Sequence, residues 1–446
     1  MNILLINPPR SPHNGIWEHA GDEARRFVHR KLIGPPLGLL TIAGAVRDHD
    51  VTVLEMKAEY DLFPDAPPPT ELVRQYLEQT NPRVVGVTFV ASEFPAGMEI
   101  LRTVKTFNPH ILTVVGGVHA TLCPHDFSTP AVDVVCLGPS AHTFRRIIEA
   151  IDSATSLDDV DGILVNREGN LLPTSAPLRD CDPVGEHFVL PDRSHLAKWL
   201  PAYIVGRTNG PGTYVFTSLG CPYKCSFCSI WPQLNGRYLQ RPVESVLQEL
   251  KTLDDYIAVR FADANSLGDV RAVEQLFDRI IEEDIRKIFI MDIRVDTAAK
   301  NPRLIEKLAR AGLKVVITGF ESFRQDELRG YNKDLAVELI EEGIRVFHAN
   351  DIMVRGNYVV PPHYGDDDFK ELAEFASQRP VSFAGYTILT PFPGTAFYEE
   401  MRDRIIDHDL AKYNLFNCVL KPRLPLDEFY ERLASLWLIR KGTDVL

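Results

Sequence analysis

Three cysteines stand within eight residues, in the run Cys221-Pro222-Tyr223-Lys224-Cys225-Ser226-Phe227-Cys228. Three thiolates on one short loop can hold three irons of a 4Fe-4S cluster. A fourth cysteine would close such a cluster for electron transfer alone; none lies nearby, so one iron is left open to an exogenous ligand. Zinc is the competing metal, but it takes four ligands, and the nearest histidine in sequence, His195, lies well upstream. The remaining four of the seven cysteines (Cys123, Cys136, Cys181 and Cys418) are scattered. An odd count with one tight cluster argues for a metal or redox site and against a disulfide framework.

The elements that must position this loop follow a regular pattern. Apolar, strand-like runs at 214–219, 257–261, 288–293, 315–318, 353–360 and 386–389 alternate with helical patterns at 243–253, 270–283, 302–311, 335–349 and 369–377. Six β/α units predict an incomplete parallel barrel over 213–394, with its active site at the C-terminal ends of the strands. The cysteine loop lies just past the first run. The other strand ends place Asp263, Arg294, Glu321 with Ser322, Asn357, and Thr390 before Pro391. Each of these taken singly is equally readable as a rim salt bridge or a cap.

Residues 1–150 alternate in the same way, with runs at 3–6, 51–54, 84–90, 111–115 and 132–137 and helices between or after them. Five strands suit a doubly wound parallel sheet, whose ligand sits at the strands' carboxyl ends. Thr88, Ser92, Gly116-Gly117-Val118-His119 and Gly138 lie there, and the glycines allow close backbone approach. A long first connection, about 10–37, reads as a functional loop on that edge. Residues 151–212 read as a linker containing a hairpin around 163–172, and 395–446 as mostly amphipathic helix. The expected fold class is therefore α/β: a Rossmann-like sheet, a partial (β/α)6 barrel and a helical C-terminal segment.

Composition narrows the partners. Formal charge over the 446 residues is −13, from 48 basic and 61 acidic side chains. An acidic chain is a poor general nucleic-acid binder, although its balance does not exclude a local basic site. No apolar run approaches the roughly 20 residues that span a bilayer. The first residues read as a buried strand and not as a signal peptide, so a cytoplasmic location is expected.

The CxxxCxxC loop with Phe227 before its last cysteine resembles that of the radical S-adenosylmethionine (SAM) superfamily, and Gly319-Phe320-Glu321-Ser322 and Thr390-Pro391-Phe392-Pro393-Gly394-Thr395 resemble segments of the same family. The resemblance implies that Cys221, Cys225 and Cys228 bind the cluster. It implies that the open iron chelates SAM and that reduction splits SAM to a 5′-deoxyadenosyl radical. Phe227, Asp263, Arg294, Glu321, Ser322, Asn357 and Thr390 would contact SAM, with Glu321 or Ser322 on the ribose and Arg294 on the carboxylate. Ile6-Asn7-Pro8-Pro9, Pro35-Pro36-Leu37-Gly38, Gly86-Val87-Thr88 and Gly116-Gly117-Val118-His119-Ala120-Thr121 resemble the cobalamin-binding domain of one large radical SAM branch. Cobalamin contacts are then implied at Asn7, Gly38, Thr88, Ser92, Gly116, Gly117, His119 and Gly138.

None of the 13 histidines has an aspartate two residues before it, as a cobalt-ligating DxHxxG motif requires. Cobalt would be base-off with no ligand from that motif; His119, following two glycines, is either a ligand or a packing histidine. Gly138-Pro139-Ser140-Ala141 departs from the acidic pattern of the branch after its fifth strand. The activity implied is a C-methyltransferase working on an unactivated carbon of a small molecule through methylcobalamin, with an external electron donor of the flavodoxin or ferredoxin type. Radical cyclisation or rearrangement, as in tetrapyrrole ring closure, needs the same cofactors and stays open, as does a non-catalytic cobalamin or redox sensor.

Overall fold

The structure is a computed structural model, and it describes residues 1–28, 34–175, 183–185, 188–203, 210–379 and 381–439. Cys181, residues 204–209 of the expected linker and the last seven residues of the tail lie outside the described residues. The chain divides into two compact units, Met1–Pro12 with Ile33–Tyr203, and His13–Leu32 with Ile204–Leu446.

The first unit is built on β1 (Asn2–Asn7), β2 (Asp50–Glu55), β3 (Val84–Thr88), β4 (Leu112–Gly116), β5 (Val134–Cys136), β6 (Ile163–Arg167) and β7 (Asn170–Pro173), in the sheet order β2-β1-β3-β4-β5-β6-β7. β1 through β5 are parallel. Alternate side chains of β1 supply two separate cores: Leu4 and Ile6 pack on one face, Ile3 and Leu5 on the other. A strand buried on both faces has to read as an uninterrupted apolar run. Helices Pro69–Thr80 and Phe94–Phe107 cover the first face; Ala141–Asp152 covers the second. Order 2-1-3-4-5 puts the topological switch between β1 and β3, which is where doubly wound sheets open a ligand crevice.

The hairpin expected in the linker belongs instead to this sheet. β6 pairs antiparallel with β5, and β7 with β6. Glu168 and Gly169 turn it with φ of 56° and 91°, both positive, as a tight two-residue hairpin turn demands.

The second unit holds β8 (Gly212–Val215), β9 (Ser218–Gly220), β10 (Tyr238–Gln240), β11 (Ala258–Phe261), β12 (Ile288–Asp292), β13 (Leu313–Glu321), β14 (Met353–Val360) and β15 (Phe383–Ile388). Six of these form a parallel sheet in the order β15-β14-β13-β12-β11-β8. Strands in unbroken chain order with a crossover helix in each connection from β11 onward are the pattern of a partial barrel. The run expected as one first strand is two: β8 stays in the large sheet, and β9 pairs antiparallel with β10.

Two expectations change here. The tail is less helical than its pattern predicts: among its described residues, α-helix covers only Ala396–Met401 and Leu426–Leu436. The long first connection is not wholly on the first unit's edge. Its residues 13–28 belong to the second unit, where Gly15 N donates to Asn417 Oδ1 at 2.8 Å and Ile16 N to Phe416 O at 3.2 Å. No helix among the described residues is long and apolar enough to cross a membrane.

Candidate functional site

The antiparallel ladder β9–β10 closes the base of the cysteine loop. Gly220 enters that loop with φ of 79°, and a Cβ there would lie 2.1 Å from Arg237 O. Neither the torsion nor the space admits a side chain. Gly220→Ala is expected to cost at least 2 kcal/mol of stability, roughly the sum of a left-handed alanine and a displaced carbonyl, and to lower iron per chain. Thermal unfolding and iron assay check it.

Asp263, at the end of β11, is expected from the sequence to contact SAM, and the structure assigns it other work. It is 4% exposed, and its carboxylate accepts from Thr217 N at 2.8 Å, Thr217 Oγ1 at 2.5 Å and Ser218 N at 2.9 Å. Burial pushes its pKa up to about 6 against those hydrogen bonds. It fixes the backbone that leads into the cysteine loop.

Burial raises all three loop thiols above their ordinary pKa, each is raised further by another thiol of the loop, and the nearby cations work the other way: Lys333 and Arg294 on Cys221 and Cys225. Ile230 N donates to Cys228 Sγ at 3.4 Å, and the Tyr223 amide to Cys221. Sulfurs gathered on one loop, supplied with N–H donors and flanked by cations, suit thiolate ligation of a cluster, whose potential such donors set. The loop is tied down by Ser226 N to Tyr331 O (2.9 Å), Asn332 Nδ2 to Lys224 O (2.8 Å) and the edge contact of Phe227 with Tyr331 at 5.6 Å.

Glu321 ends β13 with φ of 62°, at a register shift in the pairing with β14. A non-glycine residue held in the left-handed region at a bulge is re-aimed for a purpose. Its Oε1 accepts from Lys333 Nζ at 2.8 Å, and Lys333 also donates to Gly319 O at 3.1 Å. Gly319 leaves the space: a Cβ there would lie 2.0 Å from Glu321 Oε1. Arg294 stacks over the Tyr223 ring at 3.8 Å and donates to Asp296 at 3.0 Å and to Asp334 O. An open cleft of about 600 Å³ beside them is lined by Gln325, Arg329, Lys333, Asp334 and Glu338. The sequence reading missed Lys333 altogether.

Two more expected SAM contacts are committed elsewhere. Ser322 Oγ, 1% exposed, donates to Glu327 Oε2 at 2.5 Å. Thr390 Oγ1, 2% exposed, donates to Ile388 O at 3.0 Å. Asn357 remains half-buried, with Gly385 opposite it: a Cβ at Gly385 would lie 2.7 Å from Asn357 Oδ1.

In the first unit, Asn7, Thr88, Gly116, Gly117 and Gly138 lie at or just beyond the ends of their strands, as expected. Gly117 has φ of 94° and fits against Phe89 O, 2.7 Å from where a Cβ would be. Ser92 is half-buried, and Gly38 is exposed, with nothing within 4 Å of its Cβ position. His119 is not presented as a cobalt ligand: its ring is 2% exposed, flanked edge-on by Phe94 and Phe127, and faces Asp126.

The same edge holds buried carboxylates that the sequence pattern did not mark. Glu55 accepts from Asn7 Nδ2 at 2.5 Å and Ala58 N at 3.2 Å, yet burial raises its pKa to about 7. Glu93, also raised by burial, pairs with Lys57 at 2.5 Å. A folded pKa above the unfolded value of 4.5 means that Glu55 contributes most below pH 4.5, and that contribution is lost as pH rises through 7. The loss is about 3 kcal/mol, from 1.36 kcal/mol per unit. Glu55→Gln is expected to flatten the pH dependence of melting in that window relative to the parent chain, whose Asp263 titrates unchanged.

One unit thus holds a parallel doubly wound sheet with glycines at its ligand edge, and the other a six-stranded parallel sheet and three thiols on the loop after β9. Residues 26–148 match the B12 binding domain and residues 215–376 the Radical SAM superfamily. The chain belongs to the cobalamin-dependent radical SAM enzymes, whose cofactors are a 4Fe-4S cluster, SAM and cobalamin. It is 25% identical over 435 residues to an uncharacterized methyltransferase of Pyrococcus horikoshii, covering 94% of this chain and 88% of that one. It is 25% identical over 451 residues to the anaerobic magnesium-protoporphyrin IX monomethyl ester cyclase of Rubrivivax gelatinosus, covering 98% and 76%. Its fold is similar to that of the radical SAM methyltransferase TsrM of Kitasatospora setae, with a TM-score of 0.73, 16% identity and coverage of 99% and 89%.

Proposed function

We propose that this enzyme methylates an unactivated carbon of a small molecule. When bound, the cluster and SAM supply a hydrogen-abstracting 5′-deoxyadenosyl radical, and cobalamin supplies the methyl group. The observation that carries the reading is the pairing, in one chain, of a B12 binding domain with a three-thiol loop beside the Glu321–Lys333 pair.

Cys221, Cys225 and Cys228 hold three irons. Glu321, aimed by its bulge and backed by Lys333, takes the ribose hydroxyls of SAM, and Arg294 takes its carboxylate. Phe227 and Asn357 complete that contact set. Asp263 keeps the loop in register. In the first unit Asn7, Gly38, Thr88, Ser92, Gly116, Gly117 and Gly138 contact cobalamin, and close approach at the glycines excludes water. The reductant is an external donor of the flavodoxin or ferredoxin type in the cytoplasm.

Relatives named as a methyltransferase and as a cyclase both match most of the chain, so radical ring closure is the second reading. One anaerobic experiment separates them. The reconstituted, cobalamin-loaded enzyme is given SAM, reductant and candidate substrate extracts, and products are read by mass spectrometry. Methyl transfer consumes two SAM molecules: one yields 5′-deoxyadenosine and methionine, the other S-adenosylhomocysteine. Both nucleoside products together support methyl transfer. Deoxyadenosine alone supports ring closure, and neither product supports a sensor.

A further inference from the structure

His119, Cys123 and Asp126 stand apart from every role assigned above. Each offers one ligand atom, and these atoms lie within 4.8 Å of one another. Local folding brings them together. Cys123 N donates to His119 O at 2.8 Å, which sets the two side chains one helical turn apart on the same face. Asp126 N donates to Cys123 O at 3.2 Å and brings the carboxylate back onto that face.

The imidazole is the informative member. Its ring is buried between Phe94 and Phe127, and Nε2 has no hydrogen-bond partner although Asp126 Oδ2 is 3.0 Å away. The distance suits a hydrogen bond, while the direction does not. A buried polar nitrogen left in this state calls for a specific explanation, and an ion is one of the few available. A nitrogen and an oxygen that are close but not aimed at each other are arranged as two ligands of a third atom are. The sulfur of Cys123 completes three sides of that point.

We propose that His119, Cys123 and Asp126 bind a divalent cation of the zinc class, at the carboxyl edge of the first unit's sheet. One nitrogen, one sulfur and one oxygen form a borderline-soft set that suits zinc and not magnesium or calcium. Zinc is four-coordinate, so water takes the fourth place, reached from the side of Asp126, whose side chain is 43% exposed. The ion locks the turn that follows Gly117 and satisfies the buried imidazole.

The test uses the full chain with its cluster reconstituted, so that the loop thiols are occupied, and titrates Zn²⁺ against a chromophoric chelator. One zinc per chain beyond the iron is expected. Cys123→Ser, at a half-buried position, and Asp126→Asn, at an exposed one, should each weaken zinc on the order of a hundred-fold and leave iron per chain unchanged. A second measurement uses the chain with all three loop cysteines changed to alanine. Co²⁺ added to it should give a thiolate-to-cobalt charge-transfer band that Cys123→Ser abolishes. Absence of stoichiometric zinc, or a zinc affinity in both variants equal to that of the unsubstituted chain, overturns the site. Neither result touches the deoxyadenosine assay on which the proposed function stands.

Discussion

Changing Cys221, Cys225 and Cys228 together to alanine is expected to give a colourless chain that holds no iron and forms no 5′-deoxyadenosine above background. Among the described residues, no other cysteine is placed to substitute. Cys136 is buried in the first unit's core, and burial pushes its thiol up to about 12. Cys418 is also buried, donates its S–H to Leu420 O at 3.1 Å and is pushed up to about 12. Cys123 sits on the first unit's sheet edge, in a different unit. A thiol held in its neutral form is a poor ligand, because the thiolate is the species that binds metal. Single substitutions should already cost most of the iron, since a cluster held by two thiolates exposes two irons. Unfolding of the variant would confuse the result, so its melting is measured alongside. The loop is anchored by bonds that the cysteine side chains do not make: Asp263 to Thr217 and Ser218, and Asn332 to Lys224 O. A near-parental melting curve with zero iron is therefore the expected combination. Full iron with the brown absorption retained would remove the site assignment.

Much of this architecture was legible in the chain because its strands are buried on both faces. A run such as Ile3-Leu4-Leu5-Ile6 has no polar position to obscure it, and the same holds for Val84-Val85 and Val114-Val115. Pairing partners were less legible. The hairpin was found from its turn, but that β6 would join β5 depends on which edge is left uncovered, a non-local matter. In the tail, the apolar spacing between 402 and 425 suggested helix, yet short polar side chains there bond to the backbone: Asp409 accepts from Ala411 N at 3.0 Å and Asn414 from Phe416 N at 3.1 Å. Such residues offer the chain an alternative to the helix. The same ambiguity holds at the strand ends. A polar residue after a strand can face a ligand or cap the backbone; Asp263 accepts from Thr217 N and Ser218 N, and Ser322 Oγ from Arg324 N at 3.0 Å. Lys333 carried no signal, because its meaning comes from folding back twelve positions onto Glu321.

Glu321→Gln is expected to weaken SAM about ten- to a hundred-fold, as loss of a charge-assisted hydrogen bond does, with iron per chain unchanged. The substitution keeps shape and volume and removes only the charge, so the loop thiols stay in place. It also strands Lys333, which would lose the carboxylate that it contacts at 2.8 Å. Two effects are thus combined in one variant: a weaker acceptor for the ribose and an unpaired cation near the thiols. Lys333→Met separates them. If Lys333 acts only by orienting Glu321, the double variant should bind SAM no worse than Glu321→Gln alone, the non-additivity expected of side chains in direct contact. If Lys333 also acts on SAM or the cluster, the double variant is weaker still. Gly319→Ala supplies a third check without deleting any functional group. Its Cβ would lie 2.0 Å from Glu321 Oε1, so the carboxylate has to turn away, and SAM affinity should fall with iron again unchanged. Isothermal titration or equilibrium dialysis under anaerobic conditions reads all four variants. SAM affinity unchanged in Glu321→Gln and Gly319→Ala alike would leave Glu321 as nothing more than the half-buried partner of Lys333, and the ribose contact would have to be sought at Asn357.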